Sequence, residues 1–229
     1  MIPQRILAIS TTTHDAAKST SVAMLDACLA ALHARYPKAA IRTINAAELH
    51  IVRNLSCYAN GAKDCANPQA GPYRCWAHYL SQKDPAKYGG KDQMPVIYDG
   101  LEWADTVLFG TSTRWGSHTA LAQTIIERMD TLENRAVSYG EPYPLRGKRL
   151  GVVAAGLHWK TRDTAAHLLD VFRWYGFTVP DGMRGALWWQ RTADPYFEHP
   201  DPDQPYVEHW LASPVGQRAL ADFLTAVTA

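Results

Sequence analysis

Apolar residues along the chain fall into two kinds of run. Short, almost unbroken ones read as strands buried on both faces of a parallel sheet. They are Arg5–Ser10, Ala40–Ile44, Asp105–Gly110 and Lys148–Ala155. A fifth strand is expected within Met183–Gln190, with Phe177-Thr178-Val179 competing for the place. Between these runs the apolar positions recur at helical spacing. Val22, Leu25, Leu29 and Leu32 form one stripe, which stops at Tyr36-Pro37 because proline cannot continue a helix. Leu121, Ile125, Met129 and Leu132 form a second, and Ala165, Leu168, Leu169 and Phe172 a third that ends near Gly176. Leu220, Phe223, Leu224 and Val227 form the last, behind Ser213-Pro214, a good N-cap and first-turn pair. Strands that alternate with helices predict a doubly wound α/β fold.

Two stretches break this rhythm. Residues 47–98 mix Asn, Gly, Pro, Lys, Tyr and three cysteines without a sustained period and read as one long insertion. A structureless stretch of that length is uncommon unless it is functional or interfacial. Asp194–Tyr206 carries four prolines and five acidic or amide side chains, which predicts an extended surface arm. With no internal repeat, residues 1–229 are read as a single domain carrying these two additions.

Composition narrows the function classes. Of 229 residues, 47% are apolar and 20% charged, enough for a sizeable core. Twenty-three Lys and Arg balance twenty-two Asp and Glu, so nucleic acid is not expected as a partner. No apolar run approaches the roughly 20 residues that span a bilayer, so no membrane is expected either. Met1-Ile2-Pro3-Gln4-Arg5 has neither the apolar region nor the cleavage site of a secretory leader, and a cytoplasmic location is expected.

In such a fold, ligands bind beyond the carboxyl ends of the strands. The first of these ends, Ser10–Ser21, carries hydroxyls on seven of twelve residues and leads into a helix. Hydroxyls and free N–H groups at a helix N-terminus suit a phosphate monoester; an ordinary capped turn is the alternative. Neither G-x-x-x-x-G-K-S/T nor G-x-G-x-x-G is present, so triphosphate and dinucleotide loops are excluded. The second end, Gly110-Thr111-Ser112-Thr113-Arg114-Trp115-Gly116-Ser117, sets two glycines around an aromatic side chain. It suits a planar ligand, unless Trp115 merely covers the core. It begins like a G-x-S-x-G nucleophile elbow, but Arg114 stands where the sharp turn needs a small residue. The third end is Gly156-Leu157-His158-Trp159, whose lone histidine reads as structural.

These loops resemble those of the flavodoxin-like NAD(P)H-dependent FMN reductases, including quinone-reducing members of the Trp-repressor-binding-protein type. Ser19-Thr20-Ser21 stands where that family has a Ser-Asn-Thr-like triplet, after Ser10 and Thr12. Thr111-Ser112-Thr113-Arg114-Trp115-Gly116-Ser117 is similar to the family's T-P-T-R/Y-F/W-G-N/S, with Ser112 in place of proline. Lys91–Ile97 and Leu101–Asp105 resemble the approach to that strand. The likeness covers about 5–45 and 91–188, and departs from the family in the third loop, which lacks its double glycine.

The resemblance implies a flavodoxin-like sheet of five parallel strands with helices on both faces, and FMN as cofactor. Its phosphate would lie on Ser10, Thr12, Ser19, Thr20 and Ser21. Thr111, Ser112, Thr113, Arg114, Trp115 and Gly116 would hold one side of the ring, and Gly156, Leu157, His158 and Trp159 another. Hydride would pass from NAD(P)H through the flavin to a quinone or another small acceptor, so no acid–base pair is required. Arg114 is a candidate for the nicotinamide nucleotide's phosphates, or a plain solvent-facing cation. A homodimer or homotetramer is implied, with the insertion and the arm as candidate contacts.

Four cysteines are too few for a disulfide scaffold. Cys28 reads as a small buried hydrophobe. Cys57, Cys65 and Cys75 occupy the interval where some relatives hold an iron–sulfur cluster, but their spacing is wide and a fourth ligand is missing. They read as structural first, as a redox-active pair second, and as metal ligands last. Two other functions stay open: an FMN-binding electron carrier or redox sensor with little turnover, and a cysteine-centred metal-binding or interaction module.

Overall fold

A computed structural model of the chain describes residues 3–13, 15–191 and 207–229. The proline-rich stretch 194–206 therefore lies outside the described residues, as does His14. Five strands, β1 (Arg5–Ser10), β2 (Ala40–Asn45), β3 (Thr106–Ser112), β4 (Arg149–Gly156) and β5 (Ala186–Gln190), pair in parallel in the order β2-β1-β3-β4-β5. This is the flavodoxin-like order, and the sheet of five parallel strands is the one the resemblance implies. Among the described residues the helices are α1 (Thr20–Arg35), α2 (Trp76–Lys83), α3 (Met94–Trp103), α4 (Ala120–Arg128), α5 (Asp130–Val137), α6 (Thr161–Trp174), α7 (Val207–Ala212) and α8 (Pro214–Thr228).

The alternation of strand side chains divides the core into two layers. Leu7, Ile9, Val107, Phe109, Leu150 and Val152 face one way and pack against α3, α4 and α6. Ile6, Ala8, Leu108, Val153 and Leu187 face the other and pack against α1 and α8. Close approach is built into the glycines. A Cβ on Gly110 would stand 2.3 Å from Leu25 Cδ1, and one on Gly151 would stand 2.7 Å from Phe223 Cζ, so both helices need a bare backbone beneath them. The carboxylate of Asp105 accepts from the backbone N–H groups of Gln4 and Arg5 (3.0 and 2.9 Å), fixing the start of β1 beside β3.

Several elements differ from expectation. β3 runs to Ser112, so Thr111 and Ser112 are strand residues. The stripe Leu121–Leu132 belongs to two helices that meet at Met129. Phe177-Thr178-Val179 forms only a single bridge, Thr178 with Arg149, and Met183 lies in a 3-10 turn, so β5 is confined to Ala186–Gln190. The insertion is not structureless: it contains α2, the start of α3 and several 3-10 turns.

Its anchor is a buried ion pair. Arg128, closing α4, donates from Nη1 and Nη2 to the two carboxylate oxygens of Asp92 (3.0 and 2.8 Å). Asp92 also accepts from Val52 N–H at 2.8 Å, and both side chains are almost wholly buried.

Candidate functional site

In the strand order β2-β1-β3 the chain reverses its direction of winding between β1 and β3. The carboxyl ends of those two strands therefore open a crevice. Thr11 and Thr119 tie its two walls together. Thr11 Oγ1 donates to Gly110 O (2.9 Å), and Thr119 Oγ1 donates to Thr11 O (2.9 Å). Thr119 also caps α4 through Ala122 N–H, so the same side chain sets the helix and the crevice.

On the β1 side the hydroxyls form a connected row. Thr12 N–H donates to Ser10 Oγ (3.4 Å), and Ser19 Oγ donates to Thr12 Oγ1 (3.2 Å). Ser19 and Ser21 Oγ lie 3.1 Å apart, and Ser21 and Ser112 Oγ 3.2 Å apart. Ser19 is the N-cap of α1, and no acidic residue stands in that helix's first turn. The exposed backbone N–H groups there favour a negative ligand. A cavity of about 270 Å³ opens at this place, lined by Thr12, Lys18, Ser19, Thr20, Ser112 and Arg114, with Ala155, Gly156 and Leu157 closing it. Ser10 and Ser21 do not line it. They stand behind the row and hold Thr12, Ser19 and Ser112 through the bonds just given.

The β3 side carries the aromatic. Arg114 and Ser117 exchange backbone hydrogen bonds (2.7 and 3.0 Å), closing a tight turn over Trp115 (φ 50°) and Gly116 (φ 76°). Glycine takes such a φ freely, whereas for a tryptophan it is strained. The result is a Trp115 side chain 96% exposed, so it does not cover the core. It lines a second cavity of about 320 Å³ with Thr113, Arg114, Gly116, Leu157, His158 and Trp159. Arg114 and Leu157 line both cavities, so the two adjoin. Thr111 faces neither: it is fully buried, and its hydroxyl accepts from Thr119 N–H (3.3 Å).

The third loop brings Gly156 against both. A Cβ there would stand 2.1 Å from Thr161 Oγ1 and 3.1 Å from Thr113 Cβ. The hydroxyls of Thr113 and Thr161 are buried and have no hydrogen-bond partner. Lys160 (φ 65°) caps α6 with its ammonium 5.0 Å from the Trp159 ring centroid. Beneath the second loop, His118 stacks on His167 (5.7 Å, 4° between planes) and shares a 2.7 Å bond with Gln123 Oε1. Burial lowers its pKa below the ordinary value of 6.5.

All three predicted loops thus converge. Lys18 was missed, although a cation one residue before a helix cap is a visible signal for an anion site. Among the described residues no carboxylate lines either cavity. The site therefore offers a cationic, hydroxyl-rich end and a second end walled by aromatic side chains.

The family model for NADPH-dependent FMN reductases matches residues 4–187. No curated protein matches the chain. Among solved structures, that of RosB with bound 8-demethyl-8-formylriboflavin-5'-phosphate is 17% identical with a TM-score of 0.67, over 98% of this chain and 77% of RosB. An azoreductase from Bacillus anthracis is 13% identical with a TM-score of 0.59, over 98% and 99%. The apo form of the NADH:FMN oxidoreductase EMOB is 17% identical with a TM-score of 0.50, over 99% and 91%. At these identities the likeness to solved structures is one of fold.

Proposed function

The chain belongs to the NADPH-dependent FMN reductase family, and on that premise we propose that it passes reducing equivalents from NAD(P)H through FMN to a quinone or a comparable small planar acceptor. The supporting observation is the pair of adjoining cavities, one hydroxyl-lined with Lys18 and Arg114, the other walled by Trp115 and Trp159.

The residues present fit FMN. Its phosphate is a near-dianion, and Thr12, Lys18, Ser19, Thr20 and the N-terminus of α1 would hold it, with no carboxylate among the described residues that line the cavity. Ser112 and Arg114 would hold the polar side chain between phosphate and ring. The buried, unpartnered hydroxyls of Thr113 and Thr161 are donors in wait for the ring's polar edge. Gly156 keeps that edge open, since any side chain there would fill the space against Thr161.

FMN supplies the hydride-accepting ring when bound, so the protein's task is to bind, orient and exclude water. Trp115, Leu157 and Trp159 provide the apolar faces against which a planar acceptor and the nicotinamide take turns. Arg114, lining both cavities, holds a positive charge where a nucleotide phosphate would approach. These exposed apolar side chains also support association with a second copy as a homodimer or homotetramer. A cytoplasmic setting, where nicotinamide nucleotides are plentiful, accompanies this reading.

Steady-state oxidation of NADPH and NADH by the FMN-loaded protein, with a quinone or an azo dye as acceptor, tests the proposal. Rapid acceptor-dependent turnover supports it. Bound flavin with negligible turnover on every acceptor makes the protein an electron carrier or sensor instead.

A further inference from the structure

Two cations stand at the wall of the aromatic cavity. Arg114 lines it directly, with an exposed side chain whose one hydrogen bond among the described residues is long, 3.5 Å from Nη1 to Thr113 O. Lys160 stands just behind the wall. Its stem packs on Gly116, where a Cβ would meet Lys160 Cδ at 3.1 Å, and its ammonium lies 5.0 Å from the Trp159 ring centroid. Gly116 and Trp159 both line the cavity, so the ammonium is one side chain away from whatever rests there. Among the described residues neither cation forms an ion pair with a carboxylate.

The backbone holds this arrangement in a costly conformation. Trp115 (φ 50°) and Lys160 (φ 65°) both lie in the left-handed region, which only glycine enters freely. Lys160 also precedes the first turn of α6 without capping it through its side chain, so the positive end of a fourteen-residue helix adds to the two cations. Asp163, the acidic residue of that turn, is exposed and pairs with neither of them.

Positive charge beside aromatic walls, with no carboxylate among the described lining residues, selects a ligand that is both planar and anionic. A neutral quinone uses the walls alone. A nicotinamide nucleotide carries its phosphates beyond a ribose, away from the ring that would rest on Trp159. A sulfonate or carboxylate fixed directly on an aromatic ring stays beside the walls, and therefore beside Lys160.

We propose that the acceptor favoured by this site is a planar aromatic compound bearing a sulfonate or carboxylate on its ring, and that Lys160, assisted by Arg114, determines the preference. Lys160 acts on which ligand is taken up and has no part in the transfer of electrons. Calling that ligand an acceptor rests on the reductase reading, whereas the anion preference of the cavity can be measured without turnover.

The test is isothermal titration of the full-length, FMN-loaded, oxidised protein with naphthalene-2-sulfonate and with 2-naphthol, which share a ring and differ in charge. At low salt the sulfonate should bind about tenfold more tightly, and the advantage should shrink as salt is raised. Lys160→Gln should remove most of that advantage, and Lys160→Arg, which keeps the charge, should retain it. The phosphates of the nucleotide without its nicotinamide, presented as 2′,5′-ADP, should bind Lys160→Gln within about twofold of wild type, since they lie away from the aromatic walls. Equal affinity for the two naphthalenes, an advantage that survives Lys160→Gln, or a loss of 2′,5′-ADP affinity as large as the sulfonate's overturns the proposal. A sulfonate preference in protein that turns over no acceptor upholds the anion site and tells against the reductase reading; turnover without the preference overturns this inference alone.

Discussion

Thr20 opens α1 and lines the hydroxyl-rich cavity, so Thr20→Asp places a carboxylate where the account places the FMN phosphate. At about 5 Å and an effective dielectric of about 20, each pair of unit charges repels by about 3 kcal/mol, and a phosphate near −2 by up to twice that. Screening at an open cavity brings the effect towards the lower figure, so FMN affinity should fall by at least about 100-fold, 1.36 kcal/mol being a factor of ten. The sign reverses without the ligand. The first turn of α1 lacks any acidic residue, and an Asp there favours the helix dipole by about 0.3–1 kcal/mol. Quenching of flavin fluorescence gives the affinity, and thermal unfolding of flavin-free protein gives the stability. Riboflavin, which has no phosphate, should bind the variant as it binds the wild type. A variant that binds FMN within about threefold of wild type would refute the placement, because no anion pocket tolerates a new carboxylate so cheaply.

Further outcomes are expected elsewhere. Trp115→Gly should relieve a strained φ of 50° and raise the stability of flavin-free protein by about 1 kcal/mol while weakening ring binding; a lower melting temperature would contradict the turn geometry. Asp92→Asn should cost about 3–5 kcal/mol in urea unfolding, because it leaves the Arg128 charge buried and unpaired. His118 is held neutral by burial, so unfolding takes up its proton first: stability should be full above its ordinary value of 6.5 and fall as the pH drops below it. In His118→Gln the fall between pH 7 and 5 should be shallower, as read from melting temperatures.

The elements with a clean amphipathic period were legible in the sequence. α1, α6 and α8 each bury one apolar stripe against the sheet, and the strands beneath them are nearly continuous apolar runs. The end of β3 was not legible, because Thr111 and Ser112 are polar yet buried: Thr111 is satisfied by the Thr119 backbone N–H and Ser112 by the Ser21 hydroxyl, and periodicity does not register such pairing. The break at Met129 is invisible for a different reason. Met129 keeps helical backbone angles, so the stripe Ile125, Met129, Leu132 continues across the junction. α2 buries Ala77 and Ser81, too little apolar surface to announce a helix, whereas Pro95 at the first turn of α3 was a signal that went unread. The three loops that meet at the crevice were legible because they set hydroxyls, glycines and aromatics at strand ends. What the sequence left open was which hydroxyls face the cavity and which, like Ser10 and Ser21, hold the others in place.

The central claim is that this crevice holds FMN and lets a nicotinamide nucleotide reduce it. The direct measurement is the visible absorption spectrum of protein mixed with FMN, freed of excess by gel filtration and then given NADPH or NADH without air. The account predicts one flavin per chain, bleached on addition of the nucleotide and restored by a quinone. Protein that emerges colourless, or a bound flavin that neither nucleotide reduces, would contradict it.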